Sequence, residues 1–221
     1  FLPEFIQLGQ DIDGEAQDDY SGWSVSLSSD GNIMAIGAFE NDGNGSKSGH
    51  VRVYEIIGGS WLQIGQDIDG EAAWDKSGWS VSLSSDGNTV AIGALGNDGN
   101  GSNSGHVRIY QNIGGSWSQI GGDIDGEADN DQSGYSVSLS SDGNTVAIGA
   151  PDNNGINSSS GHVRVYQNVN GSWTQLGQDI DGEAAGDNSG YSVSLSSDGN
   201  TVAIGTPYND GNGSDAGHVR I

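Results

Sequence analysis

The sequence repeats with a period of 56 residues, and this period limits the choice of fold more than any single residue does. The segment Ser-Gly-aromatic-Ser-Val-Ser-Leu-Ser-Ser-Asp-Gly-Asn starts at Ser21, Ser77, Ser133 and Ser189. The tetrapeptide Gly-His-Val-Arg follows in the same register and starts at Gly49, Gly105, Gly161 and Gly217. Repeats of this length are typical of propellers and other arrays, whose units bury their apolar faces only against neighbouring units. We therefore expect residues that recur in all four copies to belong to the scaffold.

One repeat predicts four β-strands, termed A to D. In the third copy, strand A alternates small polar and aliphatic residues, and strand B is an apolar, β-branched run that follows a Ser-Asp-Gly-Asn turn. The predicted strands cover residues 135–140 (A), 145–150 (B), 162–166 (C) and 173–176 (D), with a turn at 168–171 between C and D. No segment places apolar residues at helical spacing, and 39 glycines suit an all-β chain rich in turns.

These patterns predict an all-β fold, a β-propeller built from four 56-residue, four-stranded antiparallel blades in one domain, residues 1–221. The repeats cover about residues 11–66, 67–122, 123–178 and 179–221, and residues 4–10 read as strand D of the closing blade. The two ends are complementary parts of one blade: an N-terminal strand from Phe5 to Gly9 and a C-terminal strand from His218 to Ile221. The N-terminal strand is expected to complete the last blade in cis or, by self-association, in trans. The alternative is an arbitrary excision from a longer array.

The segment from Ser133 to Pro151, followed by Gly-His-Val-Arg-Val-Tyr from Gly161, resembles the FG-GAP repeats of integrin α-subunit propellers and many secreted proteins. In this resemblance Ser133-Gly134 stands for the Phe-Gly of the family, and Gly149-Ala150-Pro151 supplies Gly-Ala-Pro. The family often binds Ca²⁺ through an Asp-rich loop between strands A and B, but here that turn is only Ser-Asp-Gly-Asn, so this calcium site is not carried over. WD40 repeats are a weaker resemblance, through the Asp-Gly turn and the Val-Arg-Val-Tyr strand.

Charge narrows the choice of partners. The sequence has thirty acidic and six basic residues, and the resulting formal charge of -24 repels nucleic acid and anionic lipid. We therefore expect no nucleic-acid partner, no membrane insertion, and a saline or calcium-containing habitat. The chain has no cysteine, no signal-peptide pattern and no apolar run of membrane-spanning length, and it reads as a mature, trimmed or excised segment.

Acidic residues concentrate in the D-to-A and B-to-C loops, which the strand connectivity places on one face, and they are the candidate Ca²⁺ ligands. The Asp-Ile-Asp-Gly-Glu copies supply Asp11, Asp13, Glu15, Asp67, Asp69, Glu71, Asp123, Asp125, Glu127, Asp179, Asp181 and Glu183. The Asp-Gly-Asn-Gly-Ser copies in the B-to-C loops add Asp42, Asp98 and Asp210. The competing interpretation is that these residues form turns and bind their own backbone.

Other recurring residues have simpler interpretations. Asn-x-Ser glycosylation sequons occur at Asn44, Asn100, Asn157, Asn170 and Asn212, and the same segments also suit turns. The four histidines that begin strand C are interpreted as strand-edge residues, and the arginines two positions later are interpreted as clamps that pair with acids. Aromatic residues on strands A and D are expected to pack between strands and blades. Trp74 has no aromatic counterpart in the other repeats and is the candidate contact residue.

No nucleophile with a base, unequal carboxylate pair or phosphate-binding loop is present in the sequence, so no enzyme activity is expected. The first functional hypothesis is a non-catalytic extracellular or cell-surface structural or adhesion propeller, a self-assembling subunit of a surface structure or filament. The alternative is a calcium-dependent module that binds a protein or carbohydrate ligand through the acidic face.

Overall fold

The computed structural model describes residues 6–155 and 157–221, which contain β-strands and turns but no helix. Blade 1 consists of β1 (Ser24–Leu27), β2 (Ile33–Ala38), β3 (His50–Ile57), β4 (Ser60–Gln63) and β5 (Ile68–Asp69). Blade 2 consists of β6 (Ser80–Leu83), β7 (Thr89–Ala94), β8 (His106–Ile113), β9 (Ser116–Gln119) and β10 (Ile124–Asp125). Blade 3 consists of β11 (Ser136–Leu139), β12 (Thr145–Ala150), β13 (His162–Val169), β14 (Ser172–Gln175) and β15 (Ile180–Asp181). Blade 4 consists of β16 (Ser192–Leu195), β17 (Val202–Thr206) and β18 (His218–Arg220).

The predicted all-β propeller with its repeating antiparallel blades is confirmed, and strands A to D correspond to β11–β14 in blade 3. Strand C is longer than predicted and runs to Val169, so the turn before strand D is only Asn170-Gly171. Both turn residues have positive φ, 54° and 85°, which suits a two-residue hairpin and explains the Asn-Gly pair.

The prediction of four strands per blade was incomplete, because the first three blades have a fifth. In blade 3, strand D pairs only with the second half of β13, from Tyr166 to Val169. The first half of β13 is left to pair with Ile180 and Asp181, in a segment predicted as part of the D-to-A loop. Strand C is twice as long as strand D, eight residues against four, so two separate segments are needed to satisfy its outer edge.

The predicted Ser-Asp-Gly-Asn turn between strands A and B is confirmed, and hydrogen bonds from its own side chains close it. In blade 3, Asp142 Oδ1 accepts hydrogen bonds from Ser140 Oγ at 2.6 Å and from the Asn144 amide at 3.0 Å. Ser140 Oγ accepts in turn from the Thr145 amide at 2.9 Å. The hydrogen bonds from Ser140 and Asn144 hold the pKa of Asp142 below its usual value, so the ionised carboxylate stabilises the turn.

Consecutive blades meet through close backbone contact. Ser136 Oγ in blade 3 donates to the Gly190 carbonyl of the next repeat at 2.8 Å, and Ser24 and Ser80 make the equivalent bonds to Gly78 and Gly134. A β-carbon on Gly149 would overlap the carbonyl oxygen of Gly190, which explains why glycine begins the Gly-Ala-Pro motif.

Aliphatic side chains fill the space between the blades. The core between blades 1 and 2 joins strand C and β5 of the first blade to strands A and B of the second, through Val51, Ile68, Leu83 and Ile92. An aromatic row follows the starts of the A strands and confirms the predicted packing between blades. Its ring centroids lie 4.9 Å apart for Trp23–Trp79, 5.6 Å for Trp79–Tyr135 and 4.9 Å for Tyr135–Tyr191.

Within the described residues, no further blade covers the outer face of blade 1 or that of blade 4. The serine bond between blades recurs three times, and within residues 6–155 and 157–221 no fourth bond of this kind joins blade 4 to blade 1. Val25 and Leu27 on β1 are 61% and 57% exposed, whereas their blade-2 counterpart Leu83 is 7% exposed. Val219 on β18 is 66% exposed, whereas its counterpart Val163 is fully buried.

The predicted N-terminal strand D falls partly on residues 1–5, which lie outside the described residues. Residues 6–8 form no strand, but they occupy the position that strand D of a preceding blade would take. Trp61 Nε1 donates to the Leu8 carbonyl at 2.9 Å, just as Trp117 Nε1 donates to the Ile64 carbonyl at the end of strand D of blade 1.

Adding a methyl group at the blade interface should destabilise the fold only where a following blade is present. We expect Gly93→Ala to lower the free energy of unfolding by about 1–3 kcal/mol, because its β-carbon would overlap the Gly134 carbonyl. Gly205→Ala is the matched control, since the equivalent glycine of blade 4 would meet only the Ser192 side chain. Urea unfolding of both variants measures the difference, and equal losses would contradict the proposed role of the interface.

Acid should weaken the Ser-Asp-Gly-Asn turns. Hydrogen bonds from Ser196 and Asn200 lower the pKa of Asp198 to about 2, below the value near 3.9 expected in the unfolded chain. The carboxylate therefore stabilises the fold above about pH 4, and this contribution is lost as the pH falls towards 2. We expect the destabilisation caused by Asp198→Asn at pH 5 to shrink at pH 2.5 in urea unfolding. A penalty of the same size at both pH values would show that ionisation of Asp198 is not involved.

Candidate metal centre

Three clusters of one histidine and two carboxylates lie at the starts of the C strands. In blade 1, His50 Nδ1 is 3.8 Å from Glu15 Oε2 and 4.0 Å from Asp67 Oδ2. The same arrangement recurs as Glu71, His106 and Asp123 in blade 2 and as Glu127, His162 and Asp179 in blade 3. In each cluster the three ligand atoms lie within 4.8 Å of one another. The clusters therefore have the residue types and the spacing to hold a metal ion.

The fold assembles each cluster from two successive D-to-A loops. His106 is the first residue of β8, and its partner Glu71 comes from the loop before blade 2. Asp123 comes from the loop after blade 2 and directly precedes β10, whose pairing with His106 and Val107 fixes that loop. The buried Asp75 holds the Glu71 segment by accepting hydrogen bonds from the amides of Glu71 and Ala72 at 3.1 and 2.9 Å.

Arginines from the C strands balance part of the negative charge. Arg108 Nη2 donates to the Asp69 carbonyl at 2.7 Å, and its Nη1 lies 3.6 Å from Glu71 Oε1. Arg164 binds Asp179 through Nε at 2.9 Å and also contacts Glu127. The predicted clamp role is confirmed for Arg52, Arg108 and Arg164, which each lie against a glutamate of the preceding loop, whereas among the described residues Arg220 binds only the Asp181 carbonyl.

Burial keeps the cluster histidines neutral. It lowers the pKa of His106 to about 4, with a further decrease from Arg108 that outweighs the opposing effect of Asp123. Burial also lowers the pKa values of His50 and His162, although the carboxylates beside them act in the opposite direction. At neutral pH these imidazoles therefore offer an uncharged nitrogen, the form in which histidine binds metals.

The structure divides the predicted calcium ligands into different environments. Each cluster combines a glutamate and the first aspartate of the next Asp-Ile-Asp-Gly-Glu copy, which accounts for Glu15, Asp67, Glu71, Asp123, Glu127 and Asp179. Asp11 accepts a hydrogen bond from Gln7, and Glu183 lies 3.9 Å from His218 Nδ1. The second aspartates of the motif, Asp13, Asp69, Asp125 and Asp181, lie outside the three clusters.

Sequence reasoning missed the histidines because it treated them as four separate residues around a ring. The available signal was the constant offset of each histidine from its acids: His50, His106 and His162 each follow a glutamate by 35 residues and precede an aspartate by 17. The offset to the aspartate has meaning only once β5, β10 and β15 are known to pair with the C strands, because this pairing brings the aspartate to the histidine.

The candidate calcium ligands in the B-to-C loops accept hydrogen bonds from backbone amides of their own loops. Oδ1 of Asp42 accepts a hydrogen bond from the Lys47 amide at 2.8 Å. Asp98 and Asp210 accept in the same way from the amides of Asn103 and Asp215, at 2.7 and 2.8 Å. These contacts are those of turn-forming aspartates. The prediction that the three residues bind calcium stays a prediction.

The sequon asparagines occupy two kinds of position. Asn44 and Asn100 use their side-chain amides to join repeats: Asn100 Nδ2 donates to the carbonyls of Gly126 and Glu127 at 2.8 and 3.2 Å. Asn157, Asn170 and Asn212 are exposed, and none of them donates a side-chain hydrogen bond among the residues the structure describes. Asn170 lies at the hairpin tip, where a glycan could be accommodated, while glycosylation itself stays a prediction.

Trp74 is 56% exposed, in agreement with its choice as a candidate contact residue. The ammonium group of Lys47 lies 5.4 Å from the centre of its ring and also binds Glu40 at 2.8 Å. Lys47, Glu40, Asp42, Asp18 and Tyr20 line a cleft of about 510 Å³ beside this pair. Two exposed aromatic side chains thus lie at this polar cleft, Trp74 beside it and Tyr20, which is 54% exposed, in its lining.

Removing the asparagine that joins two repeats should destabilise the protein. We expect Asn100→Ala to lower the free energy of unfolding by about 1–2 kcal/mol, since two carbonyls lose their donor. The matched control is Asn212→Ala, which changes the same repeat position in blade 4, where neither bond is present among the described residues. Denaturant unfolding compares the variants. A loss at Asn212 as large as that at Asn100 would exclude the inter-repeat bonds as the cause.

Among solved structures, the chain is similar to Kuenenia stuttgartiensis hydrazine synthase, with a TM-score of 0.51 and 14% sequence identity over 91% of this chain and 45% of that chain. It is also similar to Saccharomyces cerevisiae Sqt1, with a TM-score of 0.49 and 15% identity over 88% of this chain and 44% of that chain. The chain thus spans less than half the length of either protein, and at these identities the likeness concerns the fold alone. No curated protein sequence matches it.

A family model described as the FG-GAP repeat matches residues 12–54, 68–110 and 180–221. The matched segments contain strands A to C of blades 1, 2 and 4, including the Ser-Asp-Gly-Asn turns and the Gly-His-Val-Arg segments. No helix long and apolar enough to span a bilayer occurs in the described part of the chain. Because the three matches cover more than half of the sequence, the protein belongs to the FG-GAP repeat family.

Proposed function

We propose that this protein is a non-catalytic extracellular propeller module with a structural or adhesive role, and that it assembles head to tail with further copies of itself. The observation that carries the proposal is the pair of open faces on blades 1 and 4. Each is one half of an interface that already occurs three times between blades. Membership of the FG-GAP family and the strongly acidic surface support an extracellular setting.

The open faces are complementary because the blades are near copies. Inside the chain, Val163 on β13 is covered by Gly190 of the next blade and pairs with Ile180. The equivalent Val219 on β18 is 66% exposed, and the residues that would cover it are Gly22 and Ile12 of a second copy. In a heterologous contact of this kind, each copy binds one neighbour through blade 1 and another through blade 4. The contact can therefore repeat from copy to copy.

The blade register refines the predicted contact between the two terminal strands. In blade 3, strand D pairs with Tyr166 and the residues after it, whereas β18 consists of the equivalents of His162 to Arg164. His162 and Val163 pair instead with Asp181 and Ile180. A second copy would therefore offer Ile12 and Asp13 to β18. Its Leu8 amide would reach the Ile221 carbonyl, as the Leu176 amide reaches the Val165 carbonyl in blade 3.

Charge sets the conditions for this assembly. At a formal charge of -24, two copies repel each other at low ionic strength, and salt screens this repulsion beyond about 10 Å at 0.1 M. The apolar contact between Val219 and the open face of β1 is short-ranged and is not weakened by salt. We therefore expect assembly to strengthen as salt is raised.

The assembly is tested by light scattering of the purified chain over a range of protein and salt concentrations. We expect oligomers that grow with protein concentration and with salt, and a monomer for Val219→Lys, which places a charge in the apolar contact. Ile113→Lys is the matched control. Ile113 is 62% exposed although its blade has neighbours on both sides, so it lies outside the interface.

A monomer under every condition would contradict the proposal and would favour a ring that closes within one chain. Equal loss of assembly in Val219→Lys and Ile113→Lys would show that association is not specific to the blade edge. Oligomers that disappear with rising salt would show that charge pairing, and not the apolar face, holds the copies together.

The second candidate function is a calcium-dependent module that binds a protein or carbohydrate ligand. The exposed Trp74 beside the acidic cleft favours it, because exposed aromatic residues next to polar clefts suit ligand contact. This function predicts a monomer whose ligand binding is lost in Trp74→Ala and in the presence of a calcium chelator. Glycan-array binding with and without chelator tests it, and signals unaffected by either change would contradict it.

A further inference from the structure

We propose that the three histidine–carboxylate clusters are transition-metal sites, each binding one Zn²⁺-type ion through a histidine Nδ1 and two carboxylates from successive repeats. This inference concerns a site other than the assembly edge and does not depend on assembly. It also differs from the calcium hypothesis, because the central ligand is a nitrogen.

The donor set points to this class of metal. Calcium prefers six to eight oxygen ligands, whereas zinc binds a histidine nitrogen together with carboxylate oxygens and water. Zinc ligands lie about 2.0–2.2 Å from the metal, which places neighbouring ligand atoms about 3.3 Å apart. His106 Nδ1 and Glu71 Oε2 are 3.9 Å apart, and the half-exposed Glu71 side chain can rotate to close this gap.

A buried, unpartnered nitrogen supplies independent support. His162 is only 3% exposed, and its Nδ1 has no hydrogen-bond partner among the described residues. This atom points towards Glu127 Oε2 and Asp179 Oδ2, each 3.9 Å away, a distance too long for a hydrogen bond. A buried polar atom without a partner is costly, and a metal ion between the three groups would satisfy it.

The arginines occupy the other side of the glutamate carboxylates. Arg108 faces Glu71 Oε1, while the second oxygen of the same carboxylate, Oε2, faces His106. The carboxylate can thus bind a metal through one oxygen while the guanidinium orients it through the other, as groups behind metal ligands commonly do. In blade 3, Arg164 donates to both oxygens of Asp179, including the Oδ2 that faces His162, so a metal in this cluster would share that oxygen with the guanidinium.

A metal at these positions would join consecutive repeats. Glu71 lies in the loop before blade 2 and Asp123 in the loop after it, so one ion would fix both loops to β8. The bound ion stabilises the folded chain by mass action, because the three ligands are brought together only in the folded state. The proposed sites are therefore structural clamps.

Blade 4 provides an internal control. Glu183 and His218 form the same pair, with Nδ1 and Oε2 3.9 Å apart, but the described structure places no carboxylate at the third position. By the repeat register, the missing residue corresponds to Asp11 of a second copy. Within the described residues, one chain therefore forms three complete clusters and one incomplete cluster.

The test is calorimetric titration with Zn²⁺ of the chain carrying Val219→Lys, which blocks the edge where a second copy would supply Asp11. High salt, 0.5 M as a working value, suppresses non-specific cation binding to the acidic face. Excess Ca²⁺ is present throughout. We expect three Zn²⁺ per chain, two when Glu71→Gln and Asp123→Asn are combined, and three for the control Glu183→Gln. If the first pair prevents folding, Glu15→Gln with Asp67→Asn makes the same change in blade 1.

A second measurement reports on the nitrogen ligand. The ring signals of His50, His106 and His162 should shift in NMR spectra on addition of Zn²⁺, while those of His218 should not. The proposal would be overturned by absence of binding, by displacement of Zn²⁺ by Ca²⁺, or by equal loss of binding in Glu183→Gln and the blade-2 pair. Each of these results leaves the assembly proposal intact, because the titration is made with the blocked edge.

Discussion

Close backbone contact between consecutive blades determines both the shape of this protein and the surfaces it leaves open. Gly93 and Gly149 lie directly against the carbonyls of the next repeat, and the serines that begin β6 and β11 donate to those same carbonyls. No side chain fits between these strands, so every blade needs a following blade to bury its C strand. The contact is made three times, and the unmatched halves on β1 and β18 follow from it.

The same geometry creates the histidine clusters. Strand C is longer than strand D, so strand D leaves the beginning of strand C unpaired. This part of strand C pairs instead with a two-residue strand from the next D-to-A loop. This pairing brings an aspartate from one loop to a histidine that already faces a glutamate from the preceding loop. Structural bonds and candidate ligands therefore share a few residues, and the proposed metal sites reinforce contacts between repeats.

Much of the fold was predictable from the 56-residue period, because alternation in strand A, the β-branched run of strand B and the Ser-Asp-Gly-Asn turn are local signals. The fifth strand was not, since Ile124 and Asp125 carry no pattern of their own and pair only because β9 leaves the start of β8 free. For the same reason the sequence indicated the carboxylates but not His106, whose role depends on residues 35 positions before it and 17 after it.

In the proposed assembly, blades 1 and 4 present two halves of one interface. Amide hydrogen exchange, measured below and above the concentration at which oligomers form, can detect whether these faces become covered. We expect β7 and β12 to exchange slowly at both concentrations, and β1, β17 and β18 to exchange quickly in the monomer and slow down on assembly. Equal, slow exchange of all four blades in a dilute monomer would contradict it, because a closed ring would then cover both faces.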